Sequence, residues 1–330
     1  MGENILEVKN LKTYFHTEEG IIKAVDDVTF SVEKGKTLGI VGESGCGKSI
    51  TSYSIMQLVP HPGIIENGEI IYNSNNKKVN LLDFSPHSKE MRKVRGNDIA
   101  MIFQEPMTSL NPIFTIGNQI REAIHLHQDL NEKEEKNRAV EVLKHVGISA
   151  PEKRVNEYPH QLSGGMKQRV MIAMALTCKP NLLIADEPTT ALDVTIETQI
   201  LKLMNDIQKE LKMSIILITH DLGVIGEMAD YIIVMYTGKI VEKINKRNLF
   251  NNPKHPYTQG LIDSIPTIGK KERLKSIKGT VPNLTNLPSG CYFSPRCPYK
   301  MDKCEKKQPP LFEIGDCQGV RCWLYEEEEL

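Results

Sequence analysis

The sequence lacks a long hydrophobic run and has no excess of charge of either sign. We find no stretch of about 18 apolar residues, the length that crosses a bilayer. Lys and Arg number 41 against 42 Asp and Glu, a net charge of -1, which argues against a global basic field for nucleic acid or an anionic membrane.

The N-terminus has an acidic residue at Glu3 and no apolar segment, so it is not typical of a secretory signal. Leu6 stands where a myristoylation motif requires Ser or Thr. We expect a cytoplasmic location.

Aromatic residues are few, at 6% of the chain. Hydrophobic residues make up 40% and charged residues 25%, the composition of a folded globular protein and not of a disordered one. A length of 330 residues predicts about two domains.

Short apolar runs alternate with helical patterns over most of the chain. Residues 5–11 and 25–32 are predicted as strands on either side of a polar turn, HTEEG. The later runs, at 99–104, 181–186 and 214–220, are typical of buried parallel strands, and helical spacing is found at 164–178 and 193–212. This pattern predicts an α/β fold with an N-terminal antiparallel β subdomain.

Two regions depart from that alternation. Residues 105–163 contain helical patterns without a convincing strand, which predicts a helical insertion. A hairpin with its turn at Thr237 and Gly238 precedes a region rich in Pro and Asn. We therefore predict a first domain over 1–250 and a cysteine-rich C-terminal extension over 251–330.

A glycine-rich motif follows the apolar run at 37–41. Residues 42–49, GESGCGKS, fit the phosphate-loop pattern between a strand and a helix, in which backbone N–H groups surround phosphates. Lys48 is predicted to reach the β- and γ-phosphates, and the Ser49 hydroxyl to bind Mg²⁺. The predicted nucleotide contacts are Gly42, Glu43, Ser44, Gly45, Cys46, Gly47, Lys48, Ser49 and Ile50.

Two carboxylates, Asp186 and Glu187, end the apolar run at 181–186. A carboxylate at the end of a buried strand suits Mg²⁺, and the next one can activate an attacking water. We assign Mg²⁺ to Asp186 and the role of base to Glu187, although by itself such a pair also fits a helix cap.

Residues 162–166, LSGGM, precede the two carboxylates by about twenty positions. With the phosphate loop, this motif resembles the nucleotide-binding subunit of ABC transporters. The resemblance implies a P-loop NTPase in which Ser163, Gly164 and Gly165 of one subunit cover the γ-phosphate of ATP held by a second subunit. Met166 departs from the family, which more often has Gln there.

The resemblance extends to further positions. Gln104 is similar to the glutamine that contacts Mg²⁺ and water, and His220 to the histidine that holds the γ-phosphate. Ala191, Leu192 and Asp193 resemble the loop that contacts the opposite subunit. For stacking on adenine, Phe15 fits the family's spacing better than Tyr14.

Two segments resemble the ATPases of peptide importers, namely residues 105–112 (EPMTSLNP) and 255–258 (HPYT). The resemblance implies peptide cargo, a second ATPase subunit, two transmembrane permease subunits and, indirectly, an extracytoplasmic solute-binding protein. Nickel, glutathione or another solute is the alternative cargo. Less favoured alternatives are an ABC ATPase that acts on ribosomes or DNA and a cysteine-based sensor.

Five of the seven cysteines fall in the last forty positions. Their spacing is looser than in zinc ribbons and differs from ferredoxins, so zinc, an iron–sulfur cluster and free thiols all remain open. The resemblance implies a [4Fe–4S] cluster on Cys291, Cys297, Cys304 and Cys322, with Cys317 as a possible substitute ligand.

Overall fold

The computed structural model describes residues 2–74, 77–104, 109–190, 192–265, 276–315 and 318–327. Predictions that concern residues 105–108, Ala191 and Cys317 lie outside these ranges. The described residues group into two units. The first unit is built from residues within 1–5, 32–36 and 72–218, and the second from residues within 6–31, 37–71 and 219–330.

The strands, in chain order, are β1 (Asn4–Thr17), β2 (Gly20–Glu33), β3 (Thr37–Val41), β4 (Gly63–Ser74), β5 (Lys77–Asn80), β6 (Ile99–Ile102), β7 (Leu182–Asp186), β8 (Ser214–Ile218), β9 (Tyr231–Tyr236), β10 (Lys239–Asn245), β11 (Phe312–Glu313) and β12 (Gly319–Val320). The helices are α1 (Lys48–Ile55), α2 (Lys89–Val94), α3 (Ile116–His127), α4 (Glu132–His145), α5 (Pro151–Arg154), α6 (Gly164–Leu176), α7 (Val194–Leu211), α8 (Leu222–Met228), α9 (Lys246–Asn251), α10 (Pro256–Asp263) and α11 (Asp302–Lys306).

The first unit contains a parallel sheet. β6 pairs with β7, with Ile99 opposite Leu182, and β7 pairs with β8, with Leu182 opposite Ser214. Every residue of β7 and of β8 is buried, as expected for strands covered on both faces. The predicted α/β core is confirmed in this unit.

Helices α3 and α4 confirm the helical pattern predicted between Gln104 and Ser163. Each begins at a polar residue whose side chain accepts a backbone N–H of the first turn, Thr115 for α3 and Asn131 for α4. Glu134 completes a capping box with Asn131. These caps explain why the chain enters a helix at those positions.

The second unit also contains α/β elements. β3 pairs in parallel with β9, and β9 forms an antiparallel hairpin with β10. The turn residues Thr237 and Gly238 have φ of 42° and 80°, the positive values that a tight hairpin of this kind requires. The hairpin predicted at this turn is confirmed, and β12 adds to β10 on its other side.

In the N-terminal part of the second unit, β1 lies between β2 and β4. The predicted HTEEG turn is wrong in its extent, because β1 continues to Thr17 and β2 begins at Gly20. The polar residues His16 and Thr17 lie in the strand, where they are exposed. The second unit contains both sides of the domain boundary predicted near residue 250, which stays a prediction.

Candidate functional site

The predicted phosphate loop in the second unit connects β3 to α1. At two of its glycines, the neighbouring backbone is so close that no side chain would fit. A Cβ on Gly42 would lie 2.2 Å from the Met235 carbonyl oxygen, and one on Gly47 would lie 2.1 Å from that of Ala24. Gly47 also has φ of 102°, which L side chains rarely adopt. The loop therefore has the tight backbone that phosphate binding needs.

Lys48 follows the inside of this loop. Its Nζ donates to the carbonyl oxygens of Gly42, at 2.8 Å, and Glu43, at 3.2 Å. The residue is 6% exposed, so its charge is held at the start of α1. Cys46 is buried beside it, and burial raises the pKa of its thiol. Its Sγ fills space against Gly42, which agrees with a packing role.

The two aromatic candidates for adenine stacking differ in their contacts. The Tyr14 hydroxyl donates to Asp26 Oδ1 at 2.8 Å, and burial, then Asp26, raises the pKa of Tyr14. Phe15 lies against Gly63, where an added Cβ would come within 2.7 Å of the ring. Phe15 is half-buried. Unlike Tyr14, it has no hydroxyl group that forms a hydrogen bond with the protein.

His220 lies in the second unit between Thr219 and the start of α8, and it is exposed. Asp221 caps α8 by accepting the backbone N–H groups of Gly223 and Val224. The cap fixes the backbone just after the histidine.

In the first unit, the structure brings together two predicted residues, Glu187 and Gln104. Gln104 Nε2 donates to Glu187 Oε2 at 3.1 Å, and the Thr190 hydroxyl donates to the same oxygen at 2.9 Å. The Glu187 backbone has φ of 47°, an uncommon conformation for a residue with a side chain. The preceding Asp186 is fully buried at the end of β7. The sequence analysis missed Thr190, since a threonine four residues beyond the end of a strand carries no signal of its own.

Ser163 and Asp193 are both N-cap residues. Ser163 Oγ accepts the Met166 N–H at 3.4 Å and begins α6, and Asp193 Oδ1 accepts the Ile196 N–H at 3.0 Å and begins α7. Both are exposed. The two helix starts lie side by side, because a Cβ on Gly165 would come within 2.8 Å of Ile196.

Four of the predicted cluster ligands share one place in the second unit. Cys291, Cys297, Cys304 and Cys322 line a single small cavity, together with apolar side chains that include Phe293 and Trp323. All four are free thiols. Burial raises the pKa of Cys291 to about 11 and that of Cys322 to about 12. Within the described ranges, no three His, Cys, Asp or Glu side chains are arranged as a metal-binding group.

Comparison with known proteins gives the family. The ABC transporter family model matches residues 25–190, and the model for the oligopeptide/dipeptide transporter C-terminal region matches residues 241–304. This chain belongs to the ABC transporter family. Its match to the ABC ATPase fold confirms the predicted P-loop NTPase, and as a member of this family the chain is an ATP hydrolase.

Relatives match this ABC protein over nearly its whole length. It is 55% identical to the oligopeptide transport ATP-binding protein AppD of Bacillus subtilis, over 98% of both chains. It is 50% identical to the dipeptide transport ATP-binding protein DppD of Haemophilus influenzae, over 96% of this chain and 94% of the relative. Among solved structures, it resembles the ATP-binding cassette MJ0796, a dimer bound to ADP and Pi. That match has a TM-score of 0.64 and 29% identity, and it covers 73% of this chain and 99% of the other.

Proposed function

We propose that this chain binds and hydrolyses ATP at a dimer interface to power the import of peptides through a separate membrane channel. The observation that carries the ATPase part is the strand, phosphate loop and helix at residues 37–55, with Lys48 held inside the loop. Peptide cargo is supported by the match of residues 241–304 to the oligopeptide/dipeptide transporter C-terminal region.

The phosphate loop would hold the triphosphate. Backbone N–H groups at the start of α1 suit phosphate oxygens, and Lys48 can exchange the Gly42 and Glu43 carbonyls for the β- and γ-phosphates. Phe15 would stack on adenine. Tyr14 is the weaker candidate, because the hydrogen bond of its hydroxyl to Asp26 holds its ring in place. His220, exposed at its place before α8, would contact the γ-phosphate.

The residues proposed for Mg²⁺ fit that ion chemically. Ser49, Gln104 and Asp186 all supply oxygen atoms, which Mg²⁺ prefers. Gln104 uses its amide nitrogen on Glu187, which leaves the amide oxygen as the atom for the metal. Bound Mg²⁺ would neutralise charge on the β- and γ-phosphates.

Glu187 would act as the general base that takes a proton from the attacking water. One of its carboxylate oxygens is bonded to Gln104 and Thr190, and these bonds fix the direction of the other oxygen. Gln104 therefore positions the base as well as supplying a metal ligand.

The remaining proposals concern the assembly. Ser163, Gly164 and Gly165 would contact ATP held by a second ATPase subunit, and Asp193 would contact that subunit. We propose two permease subunits as membrane partners, an extracytoplasmic solute-binding protein as an indirect one, and the cytoplasmic face of the cell membrane as the location. Within the part of the chain that the structure describes, no helix has the length and apolar character to cross a membrane.

We further propose that the C-terminal extension holds a [4Fe–4S] cluster on Cys291, Cys297, Cys304 and Cys322. The support is that all four thiols line one cavity and that four thiolates are the usual ligand set of such a cluster. When bound, the cluster would cross-link a region of few regular elements.

Anaerobic purification followed by iron, acid-labile sulfide and zinc analysis tests the cluster. We expect about four iron and four sulfide per chain, with loss of both in Cys297→Ser and retention in Cys178→Ser, a thiol outside the cavity. Zinc, or no metal, would contradict the cluster and leave the ATPase proposal intact.

The variant Glu187→Gln tests the hydrolysis mechanism. We expect ATP binding to persist and phosphate release, measured with the transporter partners present, to fall by about 100-fold or more, the usual contribution of a general base. Glu141→Gln makes the same chemical change on a side chain that is 66% exposed and serves as the control. Normal turnover in Glu187→Gln would refute the assignment.

A further inference from the structure

The second residue of the phosphate loop, Glu43, is held by the C-terminal extension. Arg296 Nη1 donates to Glu43 Oε2 at 2.6 Å, and Nη2 donates to Oε1 at 3.0 Å. The two residues are 253 positions apart in the chain. The side chain of Arg296 is only 4% exposed and that of Glu43 is 29% exposed, so this two-pronged ion pair is largely shielded from water.

The guanidinium of Arg296 has further contacts that fix its direction. Its Nε donates to the Lys278 carbonyl at 3.2 Å, and the group lies 5.9 Å from the centre of the Tyr236 ring. Arg296 belongs to the short segment that carries Cys291 and Cys297. Phe293 of that segment packs edge-on against Tyr236, with ring centres 5.2 Å apart.

Glu43 is also bonded through its backbone. Its N–H donates to the hydroxyl of Tyr257 at 2.8 Å, and Tyr257 is fully buried against Tyr236 and Phe293. The extension therefore holds both the main chain and the carboxylate of one loop residue. Lys48 donates to the carbonyl of the same residue.

We propose that Arg296 is a positioning residue for ATP binding, which neutralises Glu43 and keeps its carboxylate from opposing the triphosphate. A carboxylate inside a phosphate-binding loop repels the ligand unless a cation compensates it, and a planar guanidinium can bind both oxygens at once. Through this contact the C-terminal extension sets the affinity of the loop for ATP. The proposal rests on the phosphate loop being the ATP site.

Equilibrium binding of ATP with Mg²⁺ to the full chain tests this role. We expect Arg296→Gln to raise the Kd for ATP about tenfold, or about 1.4 kcal/mol, because it leaves the Glu43 carboxylate uncompensated beside the triphosphate, and to raise KM far more than it changes kcat. Arg296→Lys should give an intermediate Kd, because an ammonium restores the charge without the second prong.

The double variant distinguishes this role from a loss of packing. In a Glu43→Gln background, Arg296→Gln should change the Kd by less than about twofold, because the effect acts through the Glu43 carboxylate. The effect of Arg296→Gln alone should also shrink at high salt, which screens the repulsion. An undiminished defect in the Glu43→Gln background, or an unchanged Kd in Arg296→Gln, overturns the proposal.

Two controls separate the possible failures. Arg154→Gln removes an ion pair with the same 2.6 Å N–O distance, to Glu157, and should leave the Kd for ATP unchanged. Lys48→Ala should abolish ATP binding. Binding that survives Lys48→Ala refutes the phosphate-loop assignment itself, whereas loss in Lys48→Ala with no change in Arg296→Gln refutes only the role of Arg296.

Discussion

At the scale of single residues, Asp26 is a buried carboxylate that joins several polar groups of the second unit. It forms an ion pair with Lys239 at 2.9 Å, and the side chains of both residues are 10% exposed. The hydroxyls of Tyr14 and Tyr292 donate to it at 2.8 and 3.3 Å. Burial acts to raise the pKa of Asp26, but the hydrogen bond and charge of Lys239, together with the Tyr14 hydrogen bond and the charge of Lys23, outweigh it, so the pKa is below its ordinary value.

We predict that Asp26→Asn destabilises the protein by about 3 kcal/mol at pH 7, because it leaves the buried ammonium of Lys239 without a counter-charge. A lowered carboxyl pKa contributes stability above the pKa of the unfolded chain, about 3.9, and this contribution is lost as the pH falls through the folded value. The difference in unfolding free energy from wild type should therefore shrink below about pH 4, as urea titrations can show. Asp206→Asn, at an exposed position, is the control. If the difference in unfolding free energy between Asp26→Asn and wild type did not change with pH, the role of the Asp26 charge would be contradicted.

At the scale of elements, α6 and α7 both begin at residues that the family resemblance assigns to ATP or to the opposite subunit. Ser163 and Asp193 each accept a backbone N–H of the first helical turn. An alanine at either position removes a helix cap together with any contact to ligand or subunit. Each such substitution should therefore be compared with a second substitution at the same position that preserves the helix cap.

Asp193 offers such a pair. Asp193→Ala should lower the free energy of unfolding by about 1 kcal/mol, the usual value of an N-cap, whereas Asp193→Asn should stay within about 0.5 kcal/mol of wild type because Asn caps equally well. Thermal or urea unfolding measures both. If the two variants lose stability equally, the charge of Asp193, and not its cap, stabilises α7.

The elements that the sequence predicts best are those with a repeated local signal. The buried strands β7 and β8 each contain four consecutive apolar residues, and the turn between β9 and β10 has a glycine where positive φ is needed. By contrast, β11 and β12 have two residues each. They are too short to show the alternation of apolar and polar residues that marks a strand. The place of β12 beside β10, and of β11 beside β12, depends on tertiary pairing.

The candidate site divides in the same way. The phosphate loop and the carboxylates after β7 have local motifs, so their residues could be predicted. The bond of Glu43 to Arg296 could not, because it joins residues 253 positions apart and nothing in the local sequence of either residue indicates its partner. Such contacts come from the packing of the extension.

At the scale of the whole molecule, the second unit holds the phosphate loop, and the first holds Glu187 and Ser163. The related cassette MJ0796 was solved as a dimer. In our proposal, ATP joins two subunits through Ser163, so assembly should depend on the nucleotide.

We predict that Glu187→Gln with ATP and Mg²⁺ sediments as a dimer and with ADP as a monomer, because ATP persists when hydrolysis is blocked. Adding Ser163→Arg should return the ATP-bound form to a monomer, since a bulky side chain cannot fit against the γ-phosphate. Ser109→Arg, at an exposed position, is the control for the added side chain, and Ser163→Asn, which keeps the cap of α6, is the control for the cap. A dimer that survives Ser163→Arg would contradict this role, and a monomer of Glu187→Gln in ATP would exclude a homodimer.

Trp323 lies in the wall of the cysteine cavity, with Lys303 Nζ 3.9 Å from the centre of its ring. It is the single tryptophan of the sequence. Light absorbed selectively by tryptophan is therefore emitted from this one place, beside Cys322. The intrinsic fluorescence of the unlabelled protein is a direct optical report on what occupies the cavity, and an iron-containing group there would quench it.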